Sequence, residues 1–418
     1  MTTVMAHHDQ PVEVVGSATP SATSPPPLSA TLGAPAAPGL PLSLKDYEPL
    51  ARRRLPRALF GYISGACEDN CSMTGNRAAL QRLLLVTRVL RDVSSRDFSR
   101  TLFGRTWAAP FGIAPMGLSA MMAYRGDTML ARAARAERIP MIMSSTSLVP
   151  LEEVASAAPG SWYQAYLPAD HDWIEPMVGR ISRAGYETLV LTVDVPVNAN
   201  RENLVKCGFT IPLRPSLRLA FDGISHPVWL TKVFARTLLR HGMPRFVNAK
   251  PSGGEPILSR HVDREFGQRD RLTWGSVAEI RRRWKGNLVI KGILHPEDAK
   301  LARAAGVDGI IVSNHGGRQL DSAIASLDAL PRVLDAAGTM PVMIDGGFRR
   351  GSEVMKALAL GAQMVFIGRP FLYAAAVGGE EGVAHAIRLV KAEIDRNMAM
   401  MGVSTIGELN RDFLHAVV

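Results

Sequence analysis

The sequence has 418 residues, of which 47% are hydrophobic and 21% charged, so it is long enough to bury a large core. Its 48 Lys and Arg residues exceed its 38 Asp and Glu residues, and the formal charge of +10 favours anionic partners such as acidic substrates, phosphates, membrane headgroups or nucleic acid. Three scattered cysteines (Cys67, Cys71 and Cys207) form no CxxC pair, which argues against a disulfide framework and a structural zinc site and suits a reducing cytoplasm.

Neither a membrane-spanning segment nor a secretory signal is expected. The sequence contains no run of 18 or more apolar residues. Its N-terminus lacks a basic region followed by an apolar one.

The first segment, residues 1–41, is rich in Pro, Ala and Ser and poor in large apolar side chains. Such a composition buries too little surface to offset the entropy lost on ordering, so we predict a disordered extension. A single domain is predicted for residues 42–418. It opens with a helix that Ser43 and Asp46 cap and that ends near Leu59, and residues 60–66 are predicted to form a loop re-entering the protein.

Short apolar runs then alternate with helical patterns, which predicts a parallel α/β fold. Eight such strands over about 260 residues favour a closed (β/α)8 TIM barrel. The alternative is a doubly wound open sheet, but no GxGxxG motif follows any of the strands. The predicted strands are 111–115, 141–145, 162–167, 189–195, 288–293, 309–314, 342–346 and 364–368.

The connection 206–270 is far longer than an ordinary loop of such a barrel. Between residues 206 and 250 it holds eight Lys or Arg residues and one acid, Asp222. Apolar residues lie among these charges: Leu217, Leu219, Phe221, Trp229, Leu230, Val233 and Phe234. A stretch that is both basic and apolar predicts contact with an anionic membrane surface. A lid over the active site with a solvated basic face is the alternative.

Polar residues at the carboxyl ends of the strands indicate where a ligand binds, because functional groups of TIM barrels lie at that face. The seventh strand ends in Asp345-Gly346-Gly347-Phe348-Arg349 and the eighth in Gly368-Arg369. Glycines allow the backbone to approach a phosphate closely and Arg supplies charge, so this pair predicts a phosphate site.

The segment 313–321, Ser-Asn-His-Gly-Gly-Arg-Gln-Leu-Asp, resembles the signature of the FMN-dependent 2-hydroxy-acid oxidising family. The resemblance extends from about residue 43 to 415. It implies FMN as cofactor and His315 as the general base, since oxidising a 2-hydroxy acid requires removal of its hydroxyl proton. It also implies that Asp194 pairs with His315.

The resemblance further implies substrate contacts by Tyr62, Tyr166, Arg201 and Arg318; the two arginines would bind the carboxylate with their planar forks. Lys291 would lie beside the flavin pyrimidine. The cofactor-binding residues implied are Ala114, Pro115, Met116, Gly117, Ser144, Gln164, Thr192, Lys291, Asp345, Gly346, Gly347, Arg349, Gly368 and Arg369.

Within this family the insert and its flanks resemble the (S)-mandelate dehydrogenases, with the L-lactate dehydrogenases next. That resemblance implies oxidation of (S)-mandelate to benzoylformate, with electrons passed to a membrane quinone. It also implies a homo-tetramer peripheral on the inner, cytoplasmic face of the cell membrane. The small residues Gly117 and Thr146 favour an aryl substrate over glycolate.

Other functions remain open at this point. They are an L-lactate dehydrogenase, an oxygen-using oxidase, a flavin-dependent isomerase, and a flavin-binding structural or sensor protein without catalysis. Nucleic-acid binding has little support, because the basic residues are not interleaved with exposed stacking aromatics.

Overall fold

The computed structural model describes residues 40–210, 213–249, 253–258 and 269–417. Of the predicted disordered extension, only Leu40 and Pro41 belong to this part. The rest of it lies outside the described residues and stays a prediction.

Eight parallel strands form the centre of the fold, in the spatial order β4-β11-β10-β9-β8-β7-β6-β5. The sheet closes on itself, because the amide of Ile113 donates to the carbonyl of Pro140 at 2.9 Å and Ile113 pairs in parallel with Met141. The predicted TIM barrel is therefore confirmed. The strands are β4 (Phe111–Ile113), β5 (Ile142–Ser144), β6 (Trp162–Ala165), β7 (Thr188–Thr192), β8 (Asn287–Ile293), β9 (Gly309–Val312), β10 (Val342–Asp345) and β11 (Met364–Ile367).

Two apolar layers hold the barrel together. One lies between the strands and the surrounding helices and the other lies inside the barrel, because successive strand residues point to opposite faces. The hairpin of β2 (Arg100–Leu102) and β3 (Arg105–Trp107) packs on the inner layer. The Phe103 ring lies 5.6 Å from the ring of Trp162, the first residue of β6. The hairpin therefore closes the amino end of the barrel and leaves the carboxyl end for a ligand.

Helices follow the strands around the barrel. They are α4 (Ser119–Met122), α5 (Gly126–Ala136), α6 (Leu151–Ala157), α7 (His171–Arg183), α12 (Trp274–Arg283), α13 (Pro296–Ala304), α14 (Ser326–Ala337), α15 (Gly351–Leu360) and α16 (Arg369–Met401). Strand β1 (Leu83–Leu85), which follows α3 (Cys71–Arg82), pairs antiparallel with the C-terminal strand β12 (Leu414–Ala416).

The N-terminal prediction was partly wrong. Asp46 caps the first helical turn of the described residues, accepting from the amide of Ser43 at 2.8 Å, as expected. The helix then breaks, and α1 (Tyr47–Arg54) and α2 (Arg57–Ser64) replace the single helix and the loop. The cause is Pro56, since the residue before a proline avoids the helical region and Leu55 is extended, with φ −97° and ψ 141°.

The long insert also forms helices in its described part: α8 (Glu202–Cys207), α9 (Leu217–Ile224), α10 (Pro227–Trp229) and α11 (Arg236–His241), with a π-helical turn over Leu230–Ala235. Its apolar residues divide into two groups. Trp229 is buried, and its indole donates to the carbonyl of Met121 at 2.7 Å. Leu217, Phe221 and Leu239 are 91%, 74% and 86% exposed. Within the described ranges, no helix has both the length and the apolar character needed to cross a bilayer.

Candidate active site

A cavity of about 760 Å³ opens at the carboxyl ends of the barrel strands. Most of the residues predicted for the site line it: Tyr62, Ala114, Pro115, Met116, Gly117, Ser144, Tyr166, Arg201, Lys291, His315, Arg318, Asp345, Gly346, Gly347, Arg349, Gly368 and Arg369. Gln164 and Thr192 are buried on the strands beneath it. Asp194 does not line the cavity but contacts His315, which does.

His315 lies just beyond β9 and pairs with Asp194, which follows β7. Its Nδ1 lies 2.9 Å from Oδ1 and 3.1 Å from Oδ2 of the carboxylate. The backbone of His315 is left-handed, with φ 57°, and Gly316 and Gly317 continue this conformation at 64° and 77°. These three residues turn the chain sharply at the strand end, so the imidazole faces the cavity.

Burial and charge favour a neutral imidazole beside an ionised carboxylate. Burial lowers the pKa of His315 below its ordinary value of 6.5, although the charge of Asp194 opposes this. Burial alone would raise the pKa of Asp194, but its interaction with His315 and the charge of Lys291 outweigh burial and hold it below its ordinary value. An imidazole whose Nδ1 faces a carboxylate presents Nε2 as a proton acceptor.

Lys291, on β8, is a buried cation on the floor of the site. Its Nζ donates to Ser313 Oγ at 2.8 Å and lies 3.1 Å from Asp345 Oδ2. Burial opposes its charge, yet Asp345 and Asp194 raise the pKa of Lys291 above its ordinary value. The ammonium therefore stays charged at neutral pH.

Two arginines and two tyrosines surround the imidazole on the outer side. The Tyr166 hydroxyl lies 3.4 Å from His315 Nε2. Arg201, the residue that precedes α8, donates through Nε to the carbonyl of Arg318 at 2.9 Å. The Arg318 guanidinium lies 5.0 Å from the Tyr62 ring centre and donates to the carbonyls of Tyr62 and Gly65. The structure therefore brings all four predicted substrate residues together.

Arg318 keeps its charge at neutral pH although it is partly buried. Burial, followed by the nearby charge of Arg201, lowers the pKa of Arg318 to about 9. Two neighbouring guanidinium groups with little solvent around them form a strong site for an anion, and their planar forks match a carboxylate.

The ends of β10 and β11 form the other half of the cavity. Gly346 and Gly347 have φ of 110° and 84°, a conformation that few other residues adopt without strain. Gly368 precedes α16, so the N-terminal amides of this helix point toward the cavity. The Arg369 side chain donates to the carbonyls of Ile63 and Gly316, while Arg349 reaches Glu48 at 3.3 Å.

Unsatisfied polar atoms indicate that a polar ligand belongs here. Among the described residues, Gln164 Nε2, Thr192 Oγ1 and Asp345 Oδ1 are buried and have no hydrogen-bond partner. Buried polar atoms are nearly always paired, so three such atoms, one lining the cavity and two on the strands beneath it, fit a ligand rich in hydrogen-bonding groups. The isoalloxazine and ribityl groups of a flavin have this character, and the glycine-rich half with its helix terminus fits a phosphate.

The sequence interpretation gave no role to three polar residues of the site. Ser313 Oγ accepts from Lys291 and also from the amide of His315 at 3.0 Å. Gln319 donates to the carbonyl of Asp194 at 3.0 Å. Both belong to the signature 313–321, which was the available signal. Asn76 of α3 exchanges two hydrogen bonds with Asn314 and lines the cavity, but no motif around it could have indicated this.

The comparisons with known proteins agree with this geometry. The FMN-dependent dehydrogenase family matches residues 51–416. The (S)-mandelate dehydrogenase of Pseudomonas putida is 38% identical over 379 residues, covering 89% of this chain and 93% of that protein. An L-lactate dehydrogenase of Caulobacter vibrioides is 40% identical over 383 residues, covering 89% of this chain and 97% of that protein.

Solved structures resemble the whole described fold. The crystal structure of the monotopic membrane protein (S)-mandelate dehydrogenase has a TM-score of 0.81 at 36% identity, covering 90% of this chain and 100% of that chain. A mandelate oxidase with 3,3-difluoro-2-hydroxy-3-phenylpropionic acid has a TM-score of 0.74 at 32% identity, covering 90% and 99%. The fold and site thus define a flavin-dependent oxidoreductase built on a TIM barrel. The chain belongs to the FMN-dependent dehydrogenase family and is an FMN enzyme of its 2-hydroxy-acid dehydrogenase class.

Proposed function

We propose that this enzyme oxidises (S)-mandelate to benzoylformate and passes the electrons to a membrane quinone. One observation carries the catalytic part: an imidazole whose Nδ1 is held by a buried carboxylate faces a cavity in which Arg201 and Arg318 lie side by side. A base and a carboxylate site lining one cavity suit a substrate that has its hydroxyl on the carbon next to its carboxylate.

In the proposed reaction the substrate loses two electrons and two protons. Arg201 and Arg318 bind the substrate carboxylate, and Tyr62 and Tyr166 donate hydrogen bonds that orient the substrate. His315 Nε2 accepts the hydroxyl proton, and Asp194 stabilises the resulting imidazolium. The hydrogen on carbon 2 would leave with both electrons to bound FMN, which is the chemistry the cofactor would supply and which accounts for the second proton. Lys291 supplies positive charge where the reduced flavin becomes negative.

Several of the residues predicted to bind the cofactor support the proposed flavin site. Gln164, Thr192 and Asp345 present the unpaired polar atoms described above, and Ser144 contacts Gln164 at 3.1 Å. We propose that the phosphate lies between Gly346, Gly347 and the N-terminus of α16. Ala114, Pro115, Met116, Gly117 and Gly368 would provide close backbone approach. Arg349 and Arg369 line the same part of the cavity. The guanidinium of Arg349 contacts Glu48, and that of Arg369 donates to the carbonyl of Ile63.

An aryl substrate is favoured by the apolar side chains that line the same cavity, namely Val197, Leu204, Phe209 and Phe246. Phe209 packs on Tyr62 with ring centres 4.8 Å apart, so a phenyl ring entering beside Tyr62 would meet an aromatic wall. L-Lactate is the second candidate, because an L-lactate dehydrogenase relative is as similar as the mandelate dehydrogenase.

We further propose that the protein is peripheral on the inner face of the cell membrane, as a homo-tetramer. Leu217, Phe221 and Leu239 are exposed on α9 and α11, among basic residues that anionic headgroups attract. A structural relative is itself described as a monotopic membrane protein. Trp229, in contrast, contributes to the core and not to this surface.

The deciding experiment is a substrate screen of the FMN-loaded enzyme. (S)-Mandelate, L-lactate and glycolate are compared by kcat/KM, with a dye, a quinone analogue or oxygen as acceptor. The proposal expects (S)-mandelate to be preferred and oxygen to be the poorest acceptor. A preference for L-lactate would favour the second candidate, and rapid oxygen uptake would make the protein an oxidase.

A further inference from the structure

The surface helix α9 contacts two different environments. Its exposed side carries Leu217, Phe221 and Ile224, of which the last is 66% exposed. Its other side carries Asp222, whose side chain is only 18% exposed. The Asp222 carboxylate accepts from the amides of Arg57 at 2.9 Å and Ala58 at 3.1 Å. These are the first two residues of α2, so a helix of the insert caps a helix of the active site.

This cap replaces one that α2 cannot provide for itself. The residue before α2 is Pro56, which has no polar side chain, and the amides at a helix start need partners. A carboxylate satisfies two of them and complements the helix dipole. Between positions 206 and 250 there are eight Lys or Arg residues and a single acid, Asp222. Asp222 is therefore the one carboxylate of this stretch that can accept from these amides.

Helix α2 in turn positions the substrate site. Tyr62 lies in its last turn and lines the cavity. The carbonyls of Tyr62 and Gly65 accept from Arg318. Packing on the insert is close, because a Cβ added at Gly61 would lie 2.4 Å from Cys207 Sγ in α8. The insert therefore contacts both ends of the helix that carries Tyr62 and the carbonyls that accept from Arg318.

We propose that Asp222 is a positioning residue of the substrate site. Binding of α9 to an anionic membrane then shifts α2 and Tyr62 through the contact of Asp222 with α2. The inference rests on the proposed function for its kinetic consequence and on the proposed membrane surface for its trigger. The Asp222 carboxylate touches backbone amides of α2 and acts on the substrate through Tyr62.

The test compares Asp222→Ala and Asp222→Asn with wild type. Asp222→Ala should raise KM for the 2-hydroxy acid about five-fold, as expected when one helix cap is lost, with a smaller change in kcat. Amide hydrogen exchange at residues 57–64 should accelerate. Asp222→Asn keeps one acceptor oxygen, so its KM and its exchange rate should lie between those of wild type and those of Asp222→Ala. Asn410→Ala is the matched control, because Asn410 caps a remote turn by accepting from Asp412 at 2.9 Å.

Vesicles of phosphatidylglycerol and phosphatidylcholine test the membrane step. In wild type they should slow exchange at 57–64, and Asp222→Ala should abolish that response. An Asp222→Ala enzyme with unchanged KM and unchanged exchange overturns the positioning role. Absence of vesicle binding, or binding without a change at 57–64, overturns the transmission. If wild type oxidises no 2-hydroxy acid, the proposed function fails, and the exchange measurement still decides whether the cap holds α2.

Discussion

The imidazole of His315 and the carboxylate of Asp194 form a largely buried pair, with Nδ1 lying 2.9 Å from Oδ1. The two residues follow different strands, β9 and β7, and are 121 positions apart in sequence. Their meeting at one edge of the barrel fixes which imidazole nitrogen faces the cavity.

Replacing His315 by Asn should remove the proton acceptor with little change to the backbone, because Asn tolerates the left-handed conformation at this position. Loss of a general base costs about 10²- to 10⁴-fold, so substrate-driven flavin bleaching should slow by at least that much. Stopped-flow absorbance measures it, with the FMN content as the control for folding. Bleaching at the wild-type rate across neutral pH would assign the base to another residue.

The pH dependence tests the electrostatics of the pair. His315 acts as a base only when neutral, and its pKa lies below 6.5, so kcat/KM should fall with acid only below that pH. Asp194→Asn removes the charge that raises the pKa of His315. The pH below which kcat/KM falls, the acid limb of the profile, should therefore move to a lower value. The maximal kcat/KM should also drop about 10²-fold or more, because the imidazolium loses its counter-charge. A limb that moved to higher pH would contradict this arrangement.

Arg201→Met and Arg318→Met should each weaken substrate binding by about 10- to 100-fold, the effect of losing charged hydrogen bonds to a carboxylate. In wild type, KM should also rise as the pH passes about 9, because Arg318 is protonated below that value and loses its charge above it. Steady-state kinetics from pH 7 to 10 measure this. In Arg318→Lys the rise should change position, whereas an identical profile would place the titrating group elsewhere.

Gly117→Ala should impair the site by crowding. A Cβ at this position would lie 2.2 Å from Thr146 Oγ1 and 3.0 Å from the Tyr62 hydroxyl. Such overlap costs about 1–3 kcal/mol, so kcat/KM should fall by about 5- to 150-fold. The double variant Gly117→Ala, Thr146→Ala removes the first clash and should recover most of that loss. Equal activity of Gly117→Ala and wild type would show that the loop moves freely.

The exposed residues of α9 and α11 can be tested without deleting the insert. Changing Leu217, Phe221 and Leu239 to Ser should weaken co-sedimentation with anionic vesicles by at least about 10-fold, since each side chain loses apolar burial in the interface. Dye-linked turnover should stay near wild type. Val89→Ser with Leu90→Ser is the matched control, because these residues are 78% and 103% exposed elsewhere. Equal loss in both variants would argue against a specific surface.

Periodicity predicted the barrel because parallel strands buried on both faces are continuous apolar runs, as in Leu189, Val190 and Leu191. The same signal failed before the barrel, where a single proline at position 56 outweighed the apolar pattern. It also could not separate Trp229, which packs inward, from Phe221, which does not, because only the tertiary fold decides which side of a surface helix is covered.

The candidate site could be located in the sequence for a related reason. Catalytic side chains follow strand ends, so the signature around His315 and the ends of β10 and β11 stood out. Asn76 and Asp222 could not be recognised in this way. Each reaches its partner from a helix outside the repeat, across 238 and 165 positions of sequence, and such pairings exist only after folding.

At the left-handed run of His315, Gly316 and Gly317, the stability of the fold and the activity of the enzyme favour different residues. A non-glycine residue held in that conformation costs of the order of 1 kcal/mol, which the surrounding structure must offset. Selection for heat resistance alone would therefore favour Gly or Asn at position 315, the replacements that abolish the proposed base. Efforts to stabilise the protein should leave this turn untouched and look to the helices on the far side of the barrel.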